Sequence, residues 1–262
     1  MALVLAAVLW SCGGEAPAPA AERAAASRQT QEAPPSPTTS AERTMAGQPA
    51  RQPSPQRDIQ LAQADAAPAP SSRFQEGTHY TRLSPAQSTS SSADKVEVAE
   101  VFMYSCPGCF AFEPYVKAWV EKAPDHVNFV RIPAVWNDLA RLHAQAYYTA
   151  EALGKVEEMH QPFFDEIHRN RNLLDSKDKL RSFFGRFGVS AEQFDSTFDS
   201  FAVHTKLRRA DELVRRYRVG ATPTVVVNGE YVTMGANVRS YEEWFDVIEE
   251  LVAREQAQIA AN

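Results

Sequence analysis

The feature that most constrains this chain is Cys106-Pro107-Gly108-Cys109. An apolar run from Val96 to Tyr104 precedes it, and Phe110 to Val120 follows with apolar positions at helical spacing. A buried strand therefore runs straight into a helix, with the cysteines at the junction. The two intervening residues put both sulfurs on the first helical turn, close enough to form a small, strained disulfide ring. Cys106 stands at the helix N-terminus, where unpaired N–H groups and the positive end of the helix dipole favour a thiolate. Cys106 is thus the expected nucleophile, and Cys109, one turn inward, the buried resolving thiol. Pro107 suits the first helical position, because the N–H it lacks would have no partner there and its φ is already set.

Two nearby cysteines can also be half of a zinc site or a structural disulfide. Zinc requires a full tetrahedral ligand set, and no second cysteine pair or close Cys/His pair follows at finger-like spacing, so no metal is expected. His143, His160, His168 and His204 are scattered through helical patterns, where a surface or core histidine is the usual outcome. A structural disulfide normally closes a longer loop. The strand-to-helix setting favours redox chemistry.

Composition is uneven along the 262 residues. From Gly13 to about Ser72 the chain is dominated by Ala, Pro, Ser, Gln and Thr, with almost no aromatic or β-branched residues. Such a segment cannot bury enough apolar surface to offset its ordering entropy, so 13–72 reads as a disordered, partly extended linker. Its prolines argue against an Ala-rich helical domain. About 190 residues remain, enough for one domain with a sizeable core. A net charge of −6 without a clustered basic face argues against nucleic-acid binding.

Met1 to Cys12 is too short to span a bilayer but suits the apolar region of a signal peptide. It resembles a bacterial lipoprotein signal, with Leu9 and Ser11 ahead of Cys12, and that resemblance implies lipidation of Cys12 as the mature N-terminus and the membrane as a partner. Trp10, bulky where a small residue is usual, and the lack of Lys or Arg before the run depart from the pattern. Plain secretion is the alternative. Both place the folded part outside the cytoplasm, where a thiol pair can be held oxidised.

In chain order, Phe74 to Leu83 reads as a short edge strand leading into a loop. Pro114 should kink the site helix without ending it, since apolar periodicity resumes at Tyr115 and Trp119. Val127 to Ile132 alternates and is the next strand, parallel to the first through a crossover. Helices are then expected over Leu139 to Leu153, closed by Gly154, over Val156 to His168, and over Lys177 to Phe187, closed by Gly188. Ser190 with Gln193 forms a capping box for a short helix carrying Phe194, Phe198 and Phe201 as core aromatics, and a longer helix runs to about Arg218. Thr222 to Val227 is β-rich, Asn228-Gly229 is a two-residue hairpin signal, and Tyr231 to Thr233 is its partner strand. A second capping box, Ser240 with Glu243, opens a final helix carrying Tyr241, Trp244, Phe245, Ile248 and Leu251.

This order is that of an α/β protein with a thioredoxin fold and an inserted helical subdomain. Residues 73–137 form its first part, 138–218 the insert and 219–262 the last part. Over roughly Phe74 to Glu255 the chain resembles the thiol:disulfide interchange protein DsbA family. Three segments carry the resemblance: Glu100-Val101-Phe102-Met103-Tyr104-Ser105-Cys106-Pro107-Gly108-Cys109, Phe112-Glu113, and Val219-Gly220-Ala221-Thr222-Pro223-Thr224-Val225-Val226-Val227-Asn228-Gly229.

The resemblance implies a thiol:disulfide oxidoreductase of the periplasm that works without a cofactor and introduces disulfide bonds into reduced exported proteins. It implies reoxidation by a quinone-linked membrane partner of the DsbB kind. Pro223 would be the cis-proline facing the cysteines, with Thr222 presenting its backbone to an extended substrate peptide; an ordinary strand-initiating proline is the other reading. Glu100 resembles the family's buried acid near the resolving cysteine, which implies proton transfer to or from Cys109; a solvent-facing carboxylate is the alternative. Where strong oxidants of the family carry His, this chain has Gly108, so thiolate stabilisation is expected to rest on the helix N-terminus and backbone N–H groups. That departure leaves a reductant or isomerase on the same scaffold open. The rival from another class is a non-catalytic peptide-binding module.

Overall fold

The computed structural model describes residues 72–261. Cys12, the signal region and nearly all of the 13–72 linker lie outside the described residues. Strand Tyr80–Arg82 (β1) is followed by Val96–Phe102 (β2), helix Pro107–Val120 (α1) and strand Val127–Pro133 (β3). The helices Asp138–Ala152 (α2), Val156–His168 (α3), Lys177–Gly185 (α4), Ala191–Phe198 (α5) and Phe201–Arg216 (α6) come next. Strands Thr224–Val227 (β4) and Tyr231–Thr233 (β5) and helix Tyr241–Ala261 (α7) complete the chain. The sheet order is β1-β5-β4-β2-β3, with β3 parallel to β2 through the α1 crossover and the other neighbours antiparallel. This is a thioredoxin fold with a helical insert between β3 and β4.

The sheet is covered on both faces, which is why β2 reads as an almost unbroken apolar run. On one face Val96, Val98, Val225 and Val227 meet Phe112, Val116 and Trp119 of α1 and Trp244, Ile248 and Leu251 of α7. On the other, Val101, Val226 and Val232 share a core with aromatic residues of the insert, including Phe163, Phe164, Phe183 and Phe194. Alternation along β2 puts Glu100 on the face of Val96 and Val98, beneath α1. β2 ends at Phe102, because the Cys106 N–H turns back to bond Met103 O at 3.1 Å and opens the helix.

Capping follows the sequence closely. Asn137, Ser176, Ser190 and Ser200 each accept an N–H of the first turn of α2, α4, α5 and α6, and Ser190 with Gln193 forms the full reciprocal box. At α7 only half of the expected box is present. Ser240 Oγ accepts the Glu243 N–H at 3.3 Å, but the Glu243 carboxylate takes the N–H of Arg239 at 2.6 Å, one residue earlier.

Three further expectations need correction. α4 ends at Gly185, short of Phe187, with 3₁₀-like bonds from the N–H groups of Arg186 and Phe187 before left-handed Gly188. Phe201 is not core: Ser200 caps a new helix, so Phe201 becomes the first residue of α6 and stands 80% exposed, with Arg208 over its ring at 5.7 Å. In the hairpin, Asn228 and Gly229 are both left-handed and Val227 O accepts the Glu230 N–H at 3.0 Å, yet Val227 pairs with Tyr231, so Glu230 is an extra residue in the turn. Gly229 has no substitute there, since a Cβ would strike the Gln87 carbonyl whose neighbouring N–H bonds Gly229 O at 2.8 Å.

Candidate active site

The two cysteines are free thiols in opposite surroundings: Cys106 is half-buried and Cys109 fully buried. Cys106 is the N-cap of α1, with extended backbone and a side chain that accepts the Cys109 N–H at 3.4 Å. Pro107 occupies the first turn as expected, and α1 continues through Pro114 to Val120. From the other side the loop before β4 closes in. The Thr222–Pro223 peptide is cis, and the Cys106 thiol donates to Thr222 O at 3.3 Å. Gly108 lies against this loop, for a Cβ there would sit 3.3 Å from Pro223 Cδ and 3.6 Å from Cys106 Sγ.

This packing lowers the Cys106 pKa to about 5. The main cause is the hydrogen bond from the Cys109 thiol; burial opposes it, and bonds from the Thr222 side chain and the backbone N–H groups of Cys109 and Gly108 add to it. No charged side chain is among these causes. The sequence reading credited the helix end and its N–H groups, which do contribute, but missed the Cys109 thiol as the larger donor. Cys109 is shifted the other way, well above an ordinary thiol, by burial, by its bond to Cys106 and by the charge on Cys106. At neutral pH the site therefore pairs one thiolate with one thiol.

Glu100 is 1% exposed, so the solvent-facing alternative is excluded. Burial and the charge of Glu113 push its pKa to about 8 against the pull of Arg131. Neither of its oxygens has a hydrogen-bond partner, although Arg131 Nε is 3.5 Å from Oε2. Charge on Glu100 also helps to raise Cys109. Arg131 sits directly across from Glu100 in the parallel ladder and donates to Glu113 of α1 at 2.5 Å. Burial opposes ionisation of Glu113, but His160 and Arg131 outweigh it and hold this carboxyl below its usual value.

His160, from α3, is buried, which lowers its pKa. Its Nδ1 is 2.8 Å from Tyr104 Oη, and its Nε2 lies 3.3 Å from Glu113 Oε2 without a well-aligned hydrogen bond. A groove of about 590 Å³ reaches Glu113, Arg131 and His160 from the surface. The family resemblance implies Glu100 near Cys109, while Glu113, Arg131 and His160 as its companions emerge only from the structure. One signal was available: strands 96–104 and 127–132 in parallel register set Glu100 beside Arg131. Among the described residues, no cluster of His, Cys, Asp or Glu is arranged to hold a metal ion.

The sequence pattern of the DSBA-like thioredoxin domain matches residues 128–239. The thiol:disulfide interchange protein DsbA of Pseudomonas syringae pv. tomato is 38% identical over 64% of this chain and 78% of its own length. That of Burkholderia cepacia is 34% identical over 75% of this chain and 90% of its own. The crystal structure of Pseudomonas aeruginosa DsbA superposes with a TM-score of 0.67 at 34% identity, covering 71% of this chain and 96% of that one. With relatives covered over most of their length at this identity, the chain belongs to the DsbA family and is a thiol:disulfide oxidoreductase.

Proposed function

We propose that Cys106 and Cys109 are the redox pair through which this protein introduces disulfide bonds into reduced exported proteins. The observation that carries the reading is the contrast between the two sulfurs, an acidic, half-exposed Cys106 against a buried, proton-retaining Cys109. In the oxidised enzyme a substrate thiolate attacks Cys106 Sγ, the S–S bond breaks, and Cys109 leaves with the electron pair and takes up a proton. A second substrate thiolate then attacks the substrate sulfur of the mixed disulfide and expels Cys106 as thiolate. The substrate loses two electrons and the enzyme gains them.

Cys106 is the better leaving group of the pair because its thiolate is already stabilised. Glu100, protonated at neutral pH and coupled to Cys109 by charge, supplies or receives the proton of the buried sulfur. Thr222 and cis-Pro223 present their backbone beside Cys106 to an extended substrate segment. A quinone-linked membrane partner of the DsbB kind takes the two electrons back. Residues 1–12 act as an export signal with Cys12 as the lipidated mature N-terminus, 13–72 as the tether, and 73–262 as the catalytic unit in the periplasm. Among the described residues no helix is long and apolar enough to cross a membrane.

Oxidation of a reduced, unfolded protein by the purified catalytic unit tests the reading. Stoichiometric transfer of disulfides to the substrate is expected. Binding of the unfolded chain without transfer, unchanged when both cysteines are replaced by Ser, would establish a peptide-binding module instead.

A further inference from the structure

We propose that His168 is a positioning residue for the redox reaction, a clamp reaching from the last turn of α3 to both flanks of the Cys106–Cys109 turn. Its Nε2 lies 2.8 Å from Tyr104 O, two residues before Cys106. A carbonyl oxygen only accepts, so Nε2 carries the hydrogen and donates. The imidazole also stacks on Phe110, the residue after Cys109, with centroids 4.8 Å apart and planes 11° from parallel. Phe164 lies against the ring on its own helix at 6.0 Å.

The grip is continuous along one face of α3, because His160, Phe164 and His168 recur at every fourth residue. Tyr104 meets all three: its Oη lies 2.8 Å from His160 Nδ1, its ring packs edge-on against Phe164 at 4.9 Å, and its carbonyl accepts from His168. The helical insert thereby fixes the strand-to-helix link from which Cys106 projects.

This rests on Cys106 and Cys109 being the redox pair, and it adds a direction of effect. The disulfide ring holds the turn covalently in the oxidised form, whereas in the dithiol form only packing holds it. The Cys109 N–H donates to Cys106 Sγ over 3.4 Å, and this bond is lost if the turn loosens. The clamp therefore stabilises the reduced form more than the oxidised form and makes the disulfide more oxidising.

The test is equilibration of the catalytic unit with glutathione, combined with denaturant unfolding of each redox form. His168→Ala should shift the equilibrium about fivefold toward the enzyme disulfide, the scale of one net hydrogen bond. His168→Gln, which keeps an N–H donor, should recover most of that shift. Phe110→Leu removes the stack but keeps apolar bulk, should shift the equilibrium in the same direction, and carries the test if His168→Ala does not fold. Equal destabilisation of both redox forms with an unchanged equilibrium would make His168 an ordinary packing residue and overturn the proposal. Failure of the unaltered protein to exchange with glutathione would instead remove the redox reading on which the clamp depends.

Discussion

The backbone N–H of Cys109 points at Cys106 Sγ across 3.4 Å, so one sulfur is solvated by the turn that buries the other. Under the proposed function this asymmetry assigns the roles, with Cys106 as nucleophile and Cys109 as resolving thiol. Cys109→Ser leaves a reachable nucleophile with no resolving thiol and should accumulate mixed disulfides with substrates, visible as mass adducts on denaturing gels without reductant. Cys106→Ser should accumulate none. Equal trapping by both variants would contradict the assignment.

Gly108 stands where the family resemblance implies a His in strong oxidants, and a Cβ there meets its neighbours with a small adjustment. A Cβ would stand 3.3 Å from Pro223 Cδ and 3.6 Å from Cys106 Sγ, so an imidazole added here borders the thiolate. Gly108→His should lower the Cys106 pKa below about 5 and make the disulfide more oxidising. Each ~30 mV rise in potential corresponds to about 1.4 kcal/mol of added preference for the reduced form. Identical thiolate titrations in the two proteins would mean that the missing His has no electrostatic consequence.

Much of this architecture is legible in the sequence, and what is not has a physical reason. The Ser190-Gln193 box, the Val156 to His168 helix and the parallel strand pair all come from short-range periodicity and capping chemistry. Phe201 was misplaced because its spacing from Phe198 fits a continuous helix, while Ser200 stops one helix and starts another. The acid cluster was only partly legible because Glu100, Glu113, Arg131 and His160 come from four elements, and only the strand register links any two of them in sequence. The shared thiol bond at Cys106 was hidden for another reason. It depends on side-chain geometry inside one turn, which spacing does not specify.

The raised pKa of Glu100 is also a statement about stability. Its folded value, about 8, exceeds the unfolded value near 4.5, so between these pH values the folded state keeps a proton that the unfolded state has released. This group's contribution to stability is therefore fully present below pH ~4.5 and is lost as pH rises toward ~8, with a slope approaching 1.4 kcal/mol per pH unit. Glu100→Gln should flatten that slope in denaturant unfolding and leave the protein more stable than the parent at pH ~8. If Glu100 is the proton donor of the proposed first step, in which Cys109 leaves the enzyme disulfide and takes up a proton, Glu100→Gln should slow that step about tenfold or more. An unchanged slope would place the titrating carboxyl elsewhere.

Cys12 ends an apolar run and is followed by about 60 linker residues. On the proposed reading of 13–72 as a tether, a coil of this length would reach about 40–45 Å, which would keep the active site close to the proposed membrane-bound oxidase and raise their effective concentration. Cys12→Ala should release the protein into the soluble exported fraction and slow its reoxidation, while the redox potential of the catalytic unit stays the same. Mass spectrometry of the mature N-terminus checks this directly, and an unmodified residue other than Cys12 there would exclude the anchor.

Cys106 is an activated thiolate with no charged side chain among the causes of its lowered pKa, and thiolate absorbance of the reduced catalytic unit against pH measures it directly. Cys109 is held too far up to titrate in the same range, so a single transition is expected, centred near pH 5 and absent in Cys106→Ser. A midpoint at the ordinary thiol value of about 8.5 would contradict the account, because Cys106 would then be no better a leaving group than an unperturbed cysteine.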